Sequence, residues 1–572
     1  MKYLIQFLKE RKGKVTLTLA LLLGQAVGTL LIPFLIASIV DNGILKGDMS
    51  RILQIGGVML LVLLITTIIA TAGSFYSADL AAGLGYEMRD MLFRKSQQLS
   101  VHDFDTIGVS SMITRSTSDI SNIQQTFGLA LQLIVPAPFL IVSSIIMTSR
   151  ASKTLSLVLI TSIIVFVIFA WLVVRKSIII STRVQKKLDH INKVIRENIT
   201  GIRVIRAFGN ENYEENRASD AFKGYATDMI SLNKLFAVLN PIIWLIIGLS
   251  MAVMLWLGGM FSIEGSMDIG QITAVIEYSI ITLSYLILAT STSVTLPKMI
   301  SCFNRIEEVL EINPEVQDLA INEEVPSKDA PALEFDNVSF YYPGAEEPVI
   351  KDLSFSCNEG ETIAIIGSTG AGKSTIANLI LRLHDIDNGK ISINGVNIKD
   401  LSQNNLRNKV GYVPQKALLF SGTIQSNLKM GNEQATNDDI KRALKISQSE
   451  AFVDKLPLGI ESSVSQGGSN FSGGQKQRLA IARALVRKAP IYIFDDSFSA
   501  LDLKTDSALR KSLRENMTKA VKLIIAQRVS TIMDADKILV LDQGDLVGFG
   551  KHNELMENCL VYQAIAKSQM NI

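Results

Sequence analysis

The sequence predicts a fold in two parts: an α-helical domain that spans a membrane, followed by an α/β domain. The chain has 572 residues, too many for one compact domain, and 48% of its residues are apolar. Long apolar runs are confined to the N-terminal half, whereas strand-like and helical segments alternate in the C-terminal half, as in layered α/β proteins. We expect a transmembrane domain at 1–311, a polar linker at 312–332 and a second domain at 333–572.

Six stretches are apolar over the roughly 20 residues that a helix needs to cross a hydrocarbon layer of about 30 Å. They lie at about 15–39, 54–78, 127–149, 155–174, 236–260 and 269–294. The first is too long for the apolar core of a cleavable signal peptide, and others follow it. Lysine and arginine gather before the first span and after the second and fourth. The positive-inside rule therefore predicts a multi-pass protein of the cell membrane with both termini in the cytosol.

Two acidic residues lie in or beside the predicted spans. Glu277 is inside the sixth span, and Asp41 ends the first span on the outer side. A carboxylate within a membrane is energetically costly and is usually retained for function. Both residues are candidates for binding a cationic substrate or for an outer gate. The structural alternative for Glu277 is a hydrogen bond to a neighbouring helix.

The α/β domain contains a phosphate loop within the stretch ETIAIIGSTGAGKSTIANLILRL. A predicted strand at 362–366 leads into the loop and a helix follows, which is the context that this motif requires. Glycines let backbone N–H groups face the phosphates of a nucleotide, Lys373 adds positive charge, and Ser374 ligates magnesium. The candidate nucleotide-binding residues here are Gly367, Ser368, Thr369, Gly370, Ala371, Gly372, Lys373, Ser374 and Thr375.

A second anion cradle occurs in FSGGQKQRLAIARAL, residues 471–485. Serine and two glycines precede a predicted helix, whose N-terminus attracts negative charge. A chain that already has one phosphate cradle has no obvious local use for another. The second cradle is therefore predicted to cap a nucleotide that a partner chain holds.

These motifs, in this order and spacing, resemble those of half-transporters of the ABC exporter superfamily, and the resemblance covers essentially the whole chain. It implies a type I (type IV) exporter fold, in which the membrane domain precedes the ATPase domain. It also implies ATP and Mg²⁺ as ligands and ATP hydrolysis coupled to transport. Two segments, HDFDTIGVSSMITRSTSDI and IRVIRAFGNENYEENR, resemble those that carry the intracellular coupling helices.

The resemblance also assigns roles to single residues. Tyr342 is similar to the aromatic residue that stacks on adenine, although a tyrosine in a strand core is the alternative. Gln415 resembles the loop glutamine that touches magnesium, Asp495 the acidic magnesium-side residue, and Asp502 the residue of the loop that crosses the dimer interface. Four residues match the signature loop, with Phe471 in place of the usual leucine: Ser472, Gly473, Gly474 and Gln475.

Two positions depart from the family pattern. The family places a glutamate, which polarises the attacking water, directly after the strand-ending aspartate. This chain has Asp496 there, whose carboxylate sits about 1–1.5 Å further back. The family also has a histidine that contacts the γ-phosphate, where this chain has Gln527, a side chain without a titratable proton. Both changes fall on the nucleotide site that is built on this chain's own phosphate loop.

The chain's own nucleotide site departs from the family pattern, whereas the signature loop that it would offer to a partner largely matches it. This difference between the two sites predicts a heterodimer. The partner is expected to be a second half-transporter that keeps the glutamate and the histidine, while this chain supplies the signature loop to the partner's competent site. Lipophilic drugs are the expected substrates, and lipids or hydrophobic peptides are alternatives. An ATP-gated regulator or channel remains a further alternative. The six spans exclude a soluble ATPase that acts on DNA or chromatin, so no nucleic-acid partner is expected. The net charge of +2 favours no particular class of partner.

Overall fold

The computed structural model describes residues 2–318 and 330–570. It forms two compact units. The first comprises the residues up to Gln97 together with Ile107–Ile312, and the second comprises Gln98–Thr106 and the residues from Asn313 onward. Each unit contains its own clusters of buried apolar side chains.

The predicted linker, 312–332, falls partly outside the described residues, because 319–329 are not among them. The linker residues from Asn313 to Asp318 belong to the second unit. The Arg382 guanidinium donates to the carbonyl of Gln317 at 2.9 Å, and the backbone N–H of Gln403 donates to Asp318 at 2.9 Å. The domain boundaries at 311 and 333 stay predictions.

The chain before the linker is helical over most of its described length. Its helices are α1 (Lys2–Glu10), α2 (Lys12–Ile39), α3 (Met49–Gln98), α4 (Val101–Ile107), α5 (Val109–Thr114), α6 (Ile120–Leu129), α7 (Pro136–Ala151), α8 (Lys153–Phe208), α9 (Glu211–Ile263), α10 (Ile269–Ser293) and α11 (Leu296–Glu311). Short π-helical turns join some of them: Val40–Ile44, Arg115–Asp119 and Ala130–Ile134.

The prediction of six membrane-crossing helices is confirmed, since six helical runs in the described residues are long and apolar enough to cross a bilayer. Local sequence sets the ends of the longest helix, α8. The Ser152 hydroxyl accepts a hydrogen bond from the N–H of Leu155 at its start. Gly209 ends it in a left-handed conformation with φ of 62°, which strains residues that carry a Cβ.

An ion pair between the partly exposed Arg305 and the buried Asp119 joins α11 to the π-helical turn Arg115–Asp119. Asp119 is 2% exposed and accepts hydrogen bonds from Arg305 Nε at 2.8 Å and Arg305 Nη2 at 2.6 Å. The thiol of Cys302 lies 3.5 Å from the same carboxylate. A two-pronged contact between guanidinium and carboxylate is among the stronger polar interactions in proteins. Asp119 thus fixes α11 against the chain that enters the third span.

From Asn313 onward, the second unit has twelve strands and ten α-helices in the described residues. The strands are β1 (Leu333–Phe340), β2 (Ile350–Cys357), β3 (Thr362–Gly367), β4 (Asn388–Ile393), β5 (Val396–Asn397), β6 (Val410–Val413), β7 (Gly422–Thr423), β8 (Ser463–Val464), β9 (Ile491–Asp495), β10 (Val521–Ile525), β11 (Lys537–Asp542) and β12 (Asp545–Gly550). The helices are α12 (Lys373–Ile380), α13 (Gln403–Asn408), α14 (Ile424–Lys429), α15 (Asn437–Ile446), α16 (Glu450–Val453), α17 (Gly473–Val486), α18 (Leu503–Asn516), α19 (Val529–Ile532), α20 (His552–Asn558) and α21 (Leu560–Met570).

The largest sheet of this unit has the strand order β12-β11-β3-β10-β9-β6. The five strands from β11 to β6 are parallel, and β12 pairs antiparallel at one edge. Every residue of β9 and β10 is buried, because helices cover both faces of a parallel sheet. The carboxyl ends of β3, β10, β9 and β6 therefore lie side by side, where α/β proteins bind ligands.

The ion pair of Asp119 generates a stability prediction. Asp119→Asn replaces a buried carboxylate that receives two guanidinium bonds, so we expect a loss of about 2 kcal/mol in unfolding free energy. Asp90→Asn is the matched control, because Asp90 pairs with Arg94 on an exposed helix face and should cost at most about 0.5 kcal/mol. Thermal unfolding of the full chain in lipid nanodiscs compares the two. Equal unfolding temperatures would contradict the assigned role of Asp119.

Candidate functional site

The phosphate loop connects β3 to α12. Gly372 has a φ of 90°, and a Cβ there would lie 2.8 Å from the carbonyl oxygen of Val349, so only glycine fits. The Lys373 ammonium donates to the carbonyls of Gly367 at 2.9 Å and Ser368 at 2.7 Å. Burial lowers the pKa of Lys373, while Asp496 and Asp495 oppose that change. The loop thus holds a positive charge beside two carboxylates.

Asp495 ends β9 beside this loop. The Ser374 hydroxyl donates to Asp495 Oδ1 at 3.0 Å. Burial raises the pKa of Asp495, and the neighbouring Asp496 raises it further. Burial also raises the pKa of Tyr412 to about 12, with Asp495 adding to the effect. Tyr412 was not predicted from the sequence, although it lies in the same GYVPQ stretch as Gln415. The Ser374 hydroxyl and the Asp495 carboxylate form an oxygen pair of the kind that Mg²⁺ prefers.

Asp496 receives two glutamine amides on one oxygen. Gln415 Nε2 donates to Asp496 Oδ2 at 3.1 Å, and Gln527 Nε2 donates to the same atom at 2.9 Å. The residue is 9% exposed, and its φ of 45° lies in the left-handed region, which aspartate tolerates better than most residues. Its own N–H donates to the carbonyl of Ile525 at 2.9 Å. Backbone and side chain are therefore both fixed.

The parallel sheet explains why these distant residues meet. Gln415 lies shortly after β6, Asp495 and Asp496 lie at the end of β9, Gln527 lies shortly after β10, and the phosphate loop follows β3. The four strands are neighbours in the order β3-β10-β9-β6. The structure thus brings together the predicted residues of the phosphate loop, the strand-ending acids and both glutamines.

Tyr342 follows β1 and is half-buried. Its hydroxyl lies 3.2 Å from the Thr375 hydroxyl, just beyond the phosphate loop. Its ring meets Phe340 and His384 edge-on, with centroid distances of 5.0 Å and 5.4 Å. The adjacent Tyr341 is more exposed, at 39%. Tyr342 therefore stands beside the phosphate loop with one part of its ring in the core, so both predicted roles stay open.

The signature loop forms the start of α17. The Ser472 hydroxyl accepts from the N–H of Gln475 at 3.3 Å, and Gln475 Oε1 accepts from the N–H of Ser472 at 2.9 Å, which is a capping box. Phe471 is buried and packs edge-on against Phe452 at 6.5 Å. The aromatic ring thus fills the core at the position where the family has leucine. Gly473 and Gly474 complete the first turn of the helix.

Asp502 caps α18. Its carboxylate accepts from the N–H of Thr505 at 3.0 Å, and this bond is the largest cause that lowers the pKa of Asp502. A capping role within its own chain is therefore present. The predicted contact of Asp502 across a dimer interface stays a prediction.

The two acidic membrane candidates differ in their surroundings. Asp41 Oδ1 accepts from the N–H of Gly270 at 2.6 Å, so Asp41 caps the start of α10, where a Cβ on Gly270 would collide with the Asp41 carboxylate. A cavity of about 350 Å³ adjoins it and is also lined by Arg150 and Asp268. Glu277 is half-buried and has no hydrogen-bond partner among the described residues. The sequence did not predict the bond of Asp41 to Gly270.

A membrane-spanning helical unit joined to a phosphate-loop α/β unit defines an ATP-powered membrane transporter. The family model of the ABC transporter transmembrane region matches residues 15–286, and that of the ABC transporter matches residues 350–499. The chain therefore belongs to the ABC transporter family. Its second unit is an ABC ATPase domain, which implies ATP binding and ATP hydrolysis coupled to transport.

Known proteins resemble the chain over nearly its whole length. The ABC transporter ATP-binding protein YfiB of Bacillus subtilis is 35% identical over 570 residues, which cover 100% of this chain and 98% of YfiB. An ATP-dependent lipid A-core flippase of Pseudomonas aeruginosa is 33% identical over 489 residues, 85% of this chain and 80% of the flippase. The solved structure of a bacterial Atm1-family ABC exporter with ATP bound matches 97% of both chains, with a TM-score of 0.80 and 26% identity. The predicted exporter fold is confirmed.

Tyr342 generates a prediction for nucleotide binding. Stacking of a base on an aromatic ring is worth about 1–3 kcal/mol, so Tyr342→Ala should weaken ATP binding by a factor of about 5 to 150. Tyr342→Phe keeps the ring and should change the affinity less than about threefold. Displacement of a fluorescent ATP analogue from the full chain measures both. Tyr341→Ala is the control, and an equal or larger loss in that variant would assign the stacking to Tyr341 instead.

Proposed function

We propose that this chain is one subunit of a heterodimeric ATP-driven exporter and that its own ATP site hydrolyses slowly. One observation carries this proposal: Asp496 stands where the family has glutamate, and two amides hold its carboxylate. Gln415 and Gln527 both donate to Asp496 Oδ2, at 3.1 Å and 2.9 Å. Gln527 in turn replaces the histidine that contacts the γ-phosphate in the family.

The slow hydrolysis expected at this site follows from the length of the Asp496 side chain. Aspartate is one methylene shorter than glutamate, so its carboxylate lies about 1–1.5 Å short of a water that glutamate would polarise. A positioned general base contributes about 10²-fold to 10⁴-fold and acts only within hydrogen-bond distance. The Gln527 amide can donate a hydrogen bond, but it cannot exchange a proton near neutral pH. ATP bound at this site is therefore retained rather than cleaved.

ATP and Mg²⁺ fit the residues present. The glycine-rich loop and Lys373 would hold the phosphates, and Tyr342 would stack on adenine. Ser374 and Asp495, whose oxygens lie 3.0 Å apart, would hold Mg²⁺ together with Gln415. When bound, Mg²⁺ supplies charge neutralisation at the phosphates. A single carboxylate suffices, because Mg²⁺ at nucleotide sites is usually bound by one or two carboxylates and substrate phosphates.

The partner subunit would contain the competent site. The signature loop of this chain keeps its serine, both glycines and its glutamine, and the capping box between Ser472 and Gln475 holds their backbone in place. That loop would cap ATP on the partner, which should carry the glutamate and the histidine. Closure of the two ATPase domains by ATP would turn the membrane cavity outward, and hydrolysis on the partner would reset it. Only a difference in ATP affinity between the two states drives this change.

We further propose that the substrates are lipophilic and in part cationic, and that both termini lie in the cytosol. Glu277 supports the cationic character, because it is half-buried in the sixth span without a hydrogen-bond partner among the described residues. The distribution of lysine and arginine supports the orientation. Lipid export is the second candidate, since a lipid A-core flippase matches 85% of this chain.

The heterodimer generates a prediction about ATPase activity. The full chain purified alone should hydrolyse ATP at least about 100-fold more slowly than its complex with a half-transporter that carries the glutamate and the histidine. In the complex, Asp496→Glu should change turnover less than about threefold, because the partner's site sets the rate. Replacing the partner's glutamate with glutamine should remove about 10²-fold to 10⁴-fold of the activity. Full activity of this chain as a homodimer would overturn the proposal.

Glu277 separates the two substrate classes. If lipophilic cations are exported, Glu277→Gln should raise the concentration that half-stimulates the ATPase at least about tenfold for a cationic dye, since an unpaired carboxylate in the membrane attracts cations. Stimulation by a phospholipid without net charge should not change. Glu264→Gln is the control, because Glu264 lies at the exposed end of α9. If only lipids stimulate the complex, lipid export replaces drug export.

A further inference from the structure

The C-terminal helix α21 contacts the loop that carries Gln527. Gln569 Nε2 donates to the carbonyl oxygen of Gln527 at 2.7 Å, and Gln569 Oε1 accepts from the N–H of Val529 at 2.8 Å. One side-chain amide therefore bonds a carbonyl and an N–H that lie two residues apart. It binds the loop as a neighbouring β-strand would, through one donor and one acceptor.

The N–H of Val529 needs such a partner. Val529 is the first residue of α19, a helix of 4 residues, and the first N–H groups of a helix have no acceptor within it. Arg528, at the cap position, makes no capping hydrogen bond with its side chain. Val529 is 0% exposed, so an unpaired N–H there would be costly. Gln569 supplies the missing acceptor from 40 residues further along the chain.

The helix that carries Gln569 is anchored in the core by two buried residues. Tyr562 and Ala566, on the same face of α21, are both 0% exposed. The Tyr562 hydroxyl lies 2.7 Å from His552 Nδ1 on α20. Two buried anchors therefore precede Gln569 by about two turns and one turn of helix. Because the backbone of the helix is already anchored, only the side chain of Gln569 has to be ordered when it binds the loop.

We infer that Gln569 is a positioning residue of the ATP site, acting through the backbone of Gln527. The loop that Gln569 fixes presents the Gln527 amide to Asp496 at 2.9 Å. This inference rests on the proposed function, in which the Gln527 position faces the γ-phosphate. Among the described residues, the Gln569 side chain bonds only to backbone groups of Gln527 and Val529, so it would act by setting where the Gln527 amide stands. Its effect is therefore specific to ATP, because ADP has no γ-phosphate for that amide to meet.

Three variants of the full chain in lipid nanodiscs test the inference. Gln569→Ala removes both bonds to the loop. Gln569→Glu keeps an acceptor for the Val529 N–H but replaces the donor with a carboxylate that repels the Gln527 carbonyl. Gln563→Ala is the matched control, since Gln563 lies on the same helix and its side chain, among the described residues, bonds only to the Glu557 carbonyl, at 3.2 Å.

Two measurements are made on each variant. Hydrogen exchange of the peptide at 526–533, measured without nucleotide, reports the Val529 N–H. Displacement of a fluorescent nucleotide by Mg-ATP and by Mg-ADP gives the preference of the site for ATP. We expect Gln569→Ala to speed exchange and to lower the ATP preference about fivefold, which corresponds to one ordinary hydrogen bond, with ADP affinity unchanged. Gln569→Glu should lower the preference while exchange stays close to wild type, and Gln563→Ala should change neither.

The outcomes separate the inference from the proposed function. Unchanged exchange in Gln569→Ala overturns the inference. Faster exchange with an unchanged preference for ATP over ADP also overturns it, because Gln569 would then only stabilise the fold. An equal loss of ATP and ADP affinity leaves that preference unchanged and has the same meaning. A wild-type chain that binds no ATP contradicts the proposed function instead, and the exchange measurement still decides whether Gln569 holds the loop.

Discussion

The parallel pairing of β3, β10, β9 and β6 brings the residues of the candidate ATP site together. Parallel neighbours point their carboxyl ends to the same edge, so each strand delivers its next residues to one place. The phosphate loop, Gln527, the acidic pair and Gln415 arrive there from separate parts of the chain. The complete burial of β9 and β10 makes this arrangement stiff, because any shift in strand register would force the close-packed core on both faces of the sheet to repack.

In the proposed function, the activity of the site depends on the short side chain of Asp496 and on the two glutamine amides that bond to it. Asp496 is held by its backbone N–H, by its left-handed conformation and by both glutamines on Oδ2. A carboxylate with that many fixed contacts has little freedom to move toward a water. The same groups leave Ser374 and Asp495 available for Mg²⁺. Under the proposed function, such a site binds ATP but cleaves it slowly.

Features that depend on a short stretch of sequence could be predicted without the structure. Length and apolarity predicted the six spans, and the strand, glycines and helix predicted the phosphate loop, because each signal lies within a short window. Other features join backbone groups to side chains far along the chain. The bond of Asp41 to Gly270, the two amides on Asp496 and the hold of Gln569 on Val529 depend on tertiary packing. No pattern marks Gln569, since a glutamine on a helix is ordinary in composition.

The central claim is that ATP on this chain survives a transport cycle while ATP on the partner does not. The most direct measurement is made on the complex during turnover. The complex hydrolyses azido-ATP that is radiolabelled at the α-phosphate in one sample and at the γ-phosphate in a second sample. Free nucleotide is removed rapidly, the bound nucleotide is crosslinked by light, and the two subunits are separated. This account predicts equal α- and γ-label on this chain and loss of γ-label from the partner. Loss of γ-label from this chain to the same extent as from the partner would contradict it.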